Sequence, residues 1–326
     1  MKPINDHVNR VISASQSGSA PARSQVVASW RRSMTLHGLD PAAEATRDRI
    51  DDAALSQRRE AQEQFLQIAA PKLDQLFALV GQSGCAVLLC DPEGVVLDRR
   101  CSEADREVFR RWGLFEGMDW SESAEGTNGI GTCLAESRSL IIHRDDHFLA
   151  RNIGMSCIDA PIYGPDARIV GALDVSSARA DQTEAFNRLI AAMVGQTARQ
   201  IETDSFCAAY PGMRIVHADA DDTDAATLLA VDHDDIVVGA TRGARKAFGM
   251  AATGPIAPVP ASDIFGREDG LRGFEKAERA AVICALTRAG GNVSQAARNL
   301  GVGRATLYRR MKRLGIGESG ANLSRG

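Results

Sequence analysis

The last fifty residues constrain this chain more than any other stretch. Residues 275–316 read EKAERAAVICALTRAGGNVSQAARNLGVGRATLYRRMKRLGI. Val293, Ala296, Ala297 and Leu300 recur at the helical period. After the turn Leu300-Gly301-Val302-Gly303, a further helix places Leu307, Met311 and Leu314 at i, i+4 and i+7. The rest of that helix is cationic or polar: Arg304, Thr306, Tyr308, Arg309, Arg310, Lys312 and Arg313. One narrow apolar stripe, a wide basic face and a glycine turn before it predict three short helices ending in a helix-turn-helix. The expected partner is double-stranded DNA. Arg304 and Thr306 open the last helix, where base edges are met, and Arg309 and Arg310 follow on its exposed face. Lys312 and Arg313 suit phosphates, Asn292 or Ser294 caps the preceding helix, and Tyr308 either meets DNA or packs on the turn.

Charge agrees with this reading. Residues 267–326 hold twelve Lys and Arg against five Asp and Glu, a balance of +7, whereas the whole chain is −4, so residues 1–266 carry −11. A basic module on an acidic body is the electrostatic form of a DNA reader, since neutralising phosphates supplies most non-specific affinity. The 326 residues leave room for two or three domains. No run of eighteen apolar residues predicts a membrane span, and Lys2 is followed by no apolar signal core. Seven cysteines, an odd number with no CxxC pair, suit reduced thiols and a cytoplasmic location.

Upstream, residues 1–22 are polar and serine-rich and are expected to be mobile. A helix begins near Arg23, carries Val26, Val27, Trp30 and Met34 on one face, and stops at His37-Gly38-Leu39-Asp40-Pro41. A second helical pattern covers residues 52–80, with a kink expected at Pro71 and an early part polar enough to pair with another chain. From Cys85 the period changes. Residues 86–90 and 95–97 flank the turn Asp91-Pro92-Glu93-Gly94, and residues 157–163 and 168–175 flank Gly164-Pro165-Asp166. Residues 139–143 form a further strand. Residues 183–202 close the unit as a helix with Phe186, Leu189, Ile190, Met193 and Val194 inward. Hairpins flanked by helices predict an antiparallel α+β domain. Residues 204–266 are looser, with a hairpin at 228–239, a short helix at 241–248 and linker at 254–260.

Three stretches together resemble one known family, the acetoin-catabolism-type activators of sigma-54 promoters. Ser29-Trp30-Arg31-Arg32-Ser33 with Gly38-Leu39-Asp40-Pro41 resembles their start. Trp120-Ser121-Glu122, Glu125-Gly126-Thr127-Asn128-Gly129-Ile130-Gly131-Thr132 and Ser156-Cys157-Ile158-Asp159-Ala160-Pro161-Ile162 resemble their GAF sensor. The C-terminus is similar to the Fis-type helix-turn-helix, and residues 228–250 resemble the short PAS-like segment of such proteins. The resemblance implies N-terminal helices in residues 1–51, a GAF-like antiparallel sensor sheet with flanking helices in 52–205, a PAS-like remnant and linker in 206–266, and an all-α DNA-binding domain in 267–326.

One departure is plain. Those activators place a AAA+ ATPase between sensor and helix-turn-helix, but here no GxxxxGK[ST] phosphate loop occurs anywhere, nor does their GAFTGA loop. ATP-driven promoter opening is therefore not expected. What the resemblance leaves is a regulator, not an enzyme: a sensor for an unidentified small-molecule effector joined to a DNA reader. Thr127, Asn128, Thr132, His143 and Cys157 are the candidate effector contacts, with His147 beside them. A homodimer is expected, formed through Ala277, Ala281, Ile283, Cys284 and Leu286. No cofactor is implied, and the Asp145-Asp146 pair between His143 and His147 argues against a zinc site. Two alternatives stand: an accessory partner of full-length activators, and a thiol redox enzyme using Cys85, Cys90, Cys101, Cys133 and Cys157, with Arg99 and Arg100 beside Cys101.

Overall fold

The computed structural model describes residues 2–44, 49–177, 179, 183–218, 226–265 and 274–316. Parts of the region expected as the DNA-binding domain, 267–273 and 317–326, lie outside the described residues. The chain divides into two compact units, residues 1–261 and 262–326.

The first unit opens with helices α1 (Lys2–Gln16), α2 (Ala20–Arg23) and α3 (Gln25–Thr35). The expectation of a mobile stretch over 1–22 is thus corrected. Val11 of α1 is fully buried and packs with Trp30, Phe148 and Leu149, so a single apolar stripe anchors an otherwise polar helix. Helices α4 (Asp52–Ala61) and α5 (Glu63–Val80) follow. The break falls at Gln62 (φ −118°), whereas Pro71 lies inside an uninterrupted α5. The two halves have different work. In α4, Arg58 reaches Asp91 at 2.5 Å and Arg59 Nε donates to the Leu97 carbonyl at 2.8 Å, while α5 lays its apolar face beneath the sheet. The polar early part, expected to meet another chain, is therefore clamped to its own sheet, with Leu55 buried.

Strands β1 (Cys85–Cys90) and β2 (Val96–Arg100) lead to short helices α6 (Arg106–Arg111), α7 (Glu122–Glu125) and α8 (Gly129–Glu136). Then come β3 (Leu140–His143), β4 (Ser156–Tyr163), β5 (Ile169–Ser177) and the long α9 (Glu184–Ala209). The five strands form one antiparallel sheet in the order β2-β1-β5-β4-β3, as the hairpin pattern predicts. Side chains alternate across it. Val87, Leu89, Ile158, Ala160, Ile162, Leu173 and Val175 join Leu73, Leu76, Ile190, Val194 and Ile201 of α5 and α9 in one core. Ala86, Leu88, Cys90 and Cys157 face the other way, toward Phe109, Trp120, Ile130 and Met155. Both faces are covered. Leu189, expected inward, is 58% exposed because it sits on the outer side of α9.

A second sheet in this unit runs β6-β7-β8-β9, from β6 (Arg214–His217), β7 (Leu228–Val231), β8 (Ile236–Ala240) and β9 (Val259–Pro260), with α10 (Arg242–Ala247) between the last two. The stretch expected as linker thus ends in a strand paired to β8. Helix α11 (Ala261–Ile264) follows it. In the second unit, α12 (Phe274–Arg288), α13 (Val293–Asn299) and α14 (Arg304–Arg313) enclose Val282, Ala285, Ala296, Ala297, Leu307, Met311 and Leu314. No helix among the described residues is long and apolar enough to cross a membrane.

Candidate functional site

The C-terminal unit presents its basic residues on a packed frame. Asn292 is the N-cap of α13 and accepts from the Gln295 N–H at 3.1 Å; Ser294 is half-buried within the first turn. Gly301 (φ 65°) makes the turn. On α14, Leu307 and Met311 are buried, which forces the cations outward into two groups. Arg304, Tyr308 and Lys312 follow one another at i, i+4 and i+8, with the Arg304 guanidinium 5.7 Å from the Tyr308 ring centre. Arg309 and Lys312 are exposed and have no ion pair among the described residues. Thr306 is half-buried one turn before Arg310, and Arg310 and Arg313 share the side that faces α12. There Glu278 pairs with Arg310 at 3.2 Å and also with Arg313. The five cations of this helix are therefore not equivalent, a distinction that sequence spacing alone does not make.

In the sensor, the two sequence motifs meet in space. Glu122 is 5% exposed and receives a bidentate contact from Arg32, Nε to Oε2 at 2.5 Å and Nη2 to Oε1 at 2.7 Å. The Ser29 hydroxyl donates to Glu122 Oε1 at 2.6 Å and lies 2.7 Å from the Thr127 hydroxyl, with Ser33 at 3.3 Å from the same group. Thr132 donates to Glu122 at 3.3 Å. Asn128 is the N-cap of α8, accepting from Gly131 N–H at 2.8 Å and donating to the Gly126 carbonyl at 2.8 Å. Gly126 has φ 64°, and a Cβ there would strike the Phe148 ring at 2.5 Å. Thr127, Asn128 and Thr132 thus bond to their own protein, and this junction docks α3 onto the sensor.

Behind α8 lies a buried polar row. Asp159 and Asp174 are direct cross-strand partners on β4 and β5 and are almost wholly buried. Neither Asp159 oxygen has a hydrogen-bond partner among the described residues; Asp174 accepts from the Ser176 hydroxyl at 3.1 Å. Burial, and the facing carboxylate, push Asp159 well up, while burial raises Asp174 to about 7. Two carboxyls so placed oppose each other's ionisation. Cys157 continues the row, with Ser176 Oγ at 3.2 Å and His147 Nε2 at 3.4 Å from its sulfur; His147 Nδ1 reaches the Arg144 carbonyl at 2.8 Å. His143, the other candidate, is held by Ser156 at 2.6 Å and Asn187 at 3.3 Å. Sequence reasoning missed the Asp159–Asp174 pair. Its signal was there: an aspartate at an inward position of each of two apolar strands.

Burial pushes up the thiols of Cys85, Cys90, Cys133 and Cys157, and that of Cys101 despite the nearby Arg99 and Arg106. None has the depressed thiolate a redox catalyst needs. No three His, Cys, Asp or Glu side chains among the described residues are grouped to hold a metal ion.

Comparison with known proteins completes the picture. Residues 8–203 match the family described as MimR, N-terminal domain, and residues 273–314 match the bacterial regulatory protein, Fis family. The chain is 30% identical over 243 residues to the acetoin catabolism regulatory protein of Cupriavidus necator, covering 73% of this chain and 36% of that protein. It is 31% identical over 176 residues to the propane 2-monooxygenase operon transcriptional activator MimR of Mycolicibacterium smegmatis, covering 53% of this chain and 28% of the relative. It therefore spans about a third of the length of these relatives. Among solved structures, the E. coli DhaR(N)–DhaL complex shares the fold, with a TM-score of 0.51 at 14% identity over 71% of this chain and 78% of that one.

Proposed function

The chain belongs to the family of the MimR N-terminal domain, and on that premise we propose that it is a ligand-responsive transcriptional regulator that binds specific DNA as a homodimer. Residues 1–51 and 52–205 form the sensor, 206–266 the connection, and 267–326 the reader. The supporting observation is α14: a basic helix on a packed three-helix frame, with Arg304, Arg309 and Lys312 directed away from that core. Arg304, Thr306 and Arg309 meet base edges; Lys312, Asn292 and Ser294 meet phosphates. Tyr308 holds Arg304 in place. Arg310 and Arg313, paired with Glu278, position the helix and reach phosphates only at the rim. The dimer uses α12, whose Phe274 is 95% exposed and is followed on the outside by Ala277, Ala281, Ile283 and Cys284, with Leu286 half-buried. With no phosphate loop in the sequence, the reader's occupancy of DNA is the whole output, without ATP hydrolysis or sigma-54 activation. The effector acts by binding two sensor conformations unequally, which changes the spacing of the paired readers.

The test is a gel-shift series on the operator. Arg309→Ala weakens specific binding by about 1–3 kcal/mol, the worth of one bidentate base contact. Arg310→Ala weakens it several-fold less. Equal losses would show that Glu278 does not engage Arg310 in solution, and no loss in either variant would remove the DNA-contact assignment. A second reading is favoured by the 243-residue alignment with a much longer regulatory protein: mixed complexes with such a regulator through the same surfaces. Co-purification of the two chains separates it from the homodimer.

A further inference from the structure

On the α9 side of the sensor sheet, away from the buried aspartates, a groove of about 570 Å³ opens between β4, the turn after α8, α9 and α10. Its floor is made of small side chains on one face of α9: Ala191, Gly195 and Ala198, at i, i+4 and i+7, with Pro161 opposite. Its far end is cationic. Arg199 comes from α9 and Arg242 from α10, and neither has an ion pair among the described residues. Arg242 lies 4.3 Å over the Tyr163 ring, and the Tyr163 hydroxyl donates to the Ser137 carbonyl at 2.9 Å, so the aromatic platform is fixed.

We propose that this groove binds a small organic acid, its carboxylate held by Arg199 and Arg242 and its apolar part lying on the alanine–glycine face of α9. Guanidinium forks match a carboxylate in geometry and charge, and a flat apolar floor favours an acid with a short hydrocarbon part over inorganic phosphate. The carboxyl already present strengthens the case. Glu202 accepts the Tyr163 N–H at 2.9 Å, and burial pushes it up to about 7 against the pull of Arg242 and Arg199. At neutral pH it is about half protonated, and below that it loses its charge, so the two guanidiniums are left without a full counter-charge. A bound acid would join α9 to the second sheet through Arg242. That regulatory consequence rests on the effector reading above; the binding does not.

Gly195 supplies a clean test, because a Cβ there would meet only Arg199 Nη1, at 3.5 Å, and a larger side chain would extend into the groove. Calorimetric titration of the full chain without DNA, at constant ionic strength, should show saturable benzoate binding with a Kd at or below about 1 mM. Gly195→Val and the pair Arg199→Gln with Arg242→Gln should each weaken it by about tenfold or more, with melting of the ligand-free protein unchanged. Affinity should rise as pH falls from about 8 to 6, as Glu202 takes up its proton while benzoate stays charged. Benzyl alcohol should bind far more weakly, and inorganic phosphate more weakly than benzoate. The proposal is overturned if benzoate fails to saturate by about 10 mM, if either variant binds it unchanged, if benzyl alcohol or phosphate binds as well, or if Gly195→Val abolishes self-association because the groove is filled by a second copy. Loss of DNA binding in other variants leaves this result standing, so the two readings fail separately.

Discussion

At the scale of single residues, the chain spends polar side chains where an apolar core would be simpler. Asp159 and Asp174 are the clearest case, since each strand would bury an aliphatic residue there at lower cost. A carboxyl whose folded pKa is raised stabilises the fold fully below its unfolded value near 3.9, and that contribution is lost as pH climbs through the folded value. For Asp174 the folded value is about 7, so the window of loss runs from about pH 4 to pH 7. Urea unfolding should show stability falling across this range, and Asp174→Asn should remove up to about 1.4 kcal/mol per pH unit of that slope. An unchanged slope would mean that Asp174 is not the group whose titration sets it. The residue scale is also where sequence reading was weakest. Thr127, Asn128 and Thr132 stood out as polar groups among glycines, yet Ser29, which meets Thr127, lies 98 residues away along the chain, and no local pattern announces such a meeting.

At the scale of elements, periodicity carried the reading well wherever one face was apolar. The β1–β2 and β4–β5 hairpins and the three C-terminal helices sit where the alternation and the i, i+4, i+7 stripes placed them. Elements held by polar contacts were less legible. Helix α1 is anchored by Val11 and by His7 and Arg10, which reach Phe148 and Asp145, so its sequence looks like a solvated tail. Helix α4 breaks from α5 because Arg58 and Arg59 grip the sheet edge, a tertiary reason invisible in helix propensity. The docking of α3 follows the same logic and can be tested. Arg32→Met leaves the Glu122 carboxylate buried without its guanidinium. The expected loss is about 2–4 kcal/mol, below the value for a fully buried pair because the Arg32 side chain is 30% exposed. Adding Glu122→Gln should restore more than half of it. A loss under about 0.5 kcal/mol would mean that the α3 junction is held by Trp30 packing instead.

At the scale of the molecule, the charge asymmetry becomes a property that can be measured. Residues 1–266 carry −11 and residues 267–326 carry +7, so the acidic part of the chain is expected to oppose the attraction of DNA to the reader. The reader's attraction follows counterion release, with a log–log salt slope of about −0.9 per phosphate neutralised. On a random duplex, where Arg304 and Arg309 have no cognate bases and turn to phosphates, these two and Lys312 from each of two copies would give a slope near −5. The sensor's repulsion is longer in range and is screened sooner, since the Debye length shrinks to about 8 Å at physiological salt. Two consequences separate these effects. Measured by fluorescence anisotropy on a random duplex, the fragment 262–326 should bind more tightly than the full chain at about 50 mM salt, and the difference should close by about 300 mM. Its slope should therefore be steeper than that of the full chain, with circular dichroism confirming that the fragment keeps its helices. Parallel slopes would show that the acidic body lies too far from the duplex to matter. A fragment that binds more weakly at every salt would show instead that residues 1–261 supply the dimerisation the reader needs, which would move the origin of two-fold symmetry from α12 to the sensor.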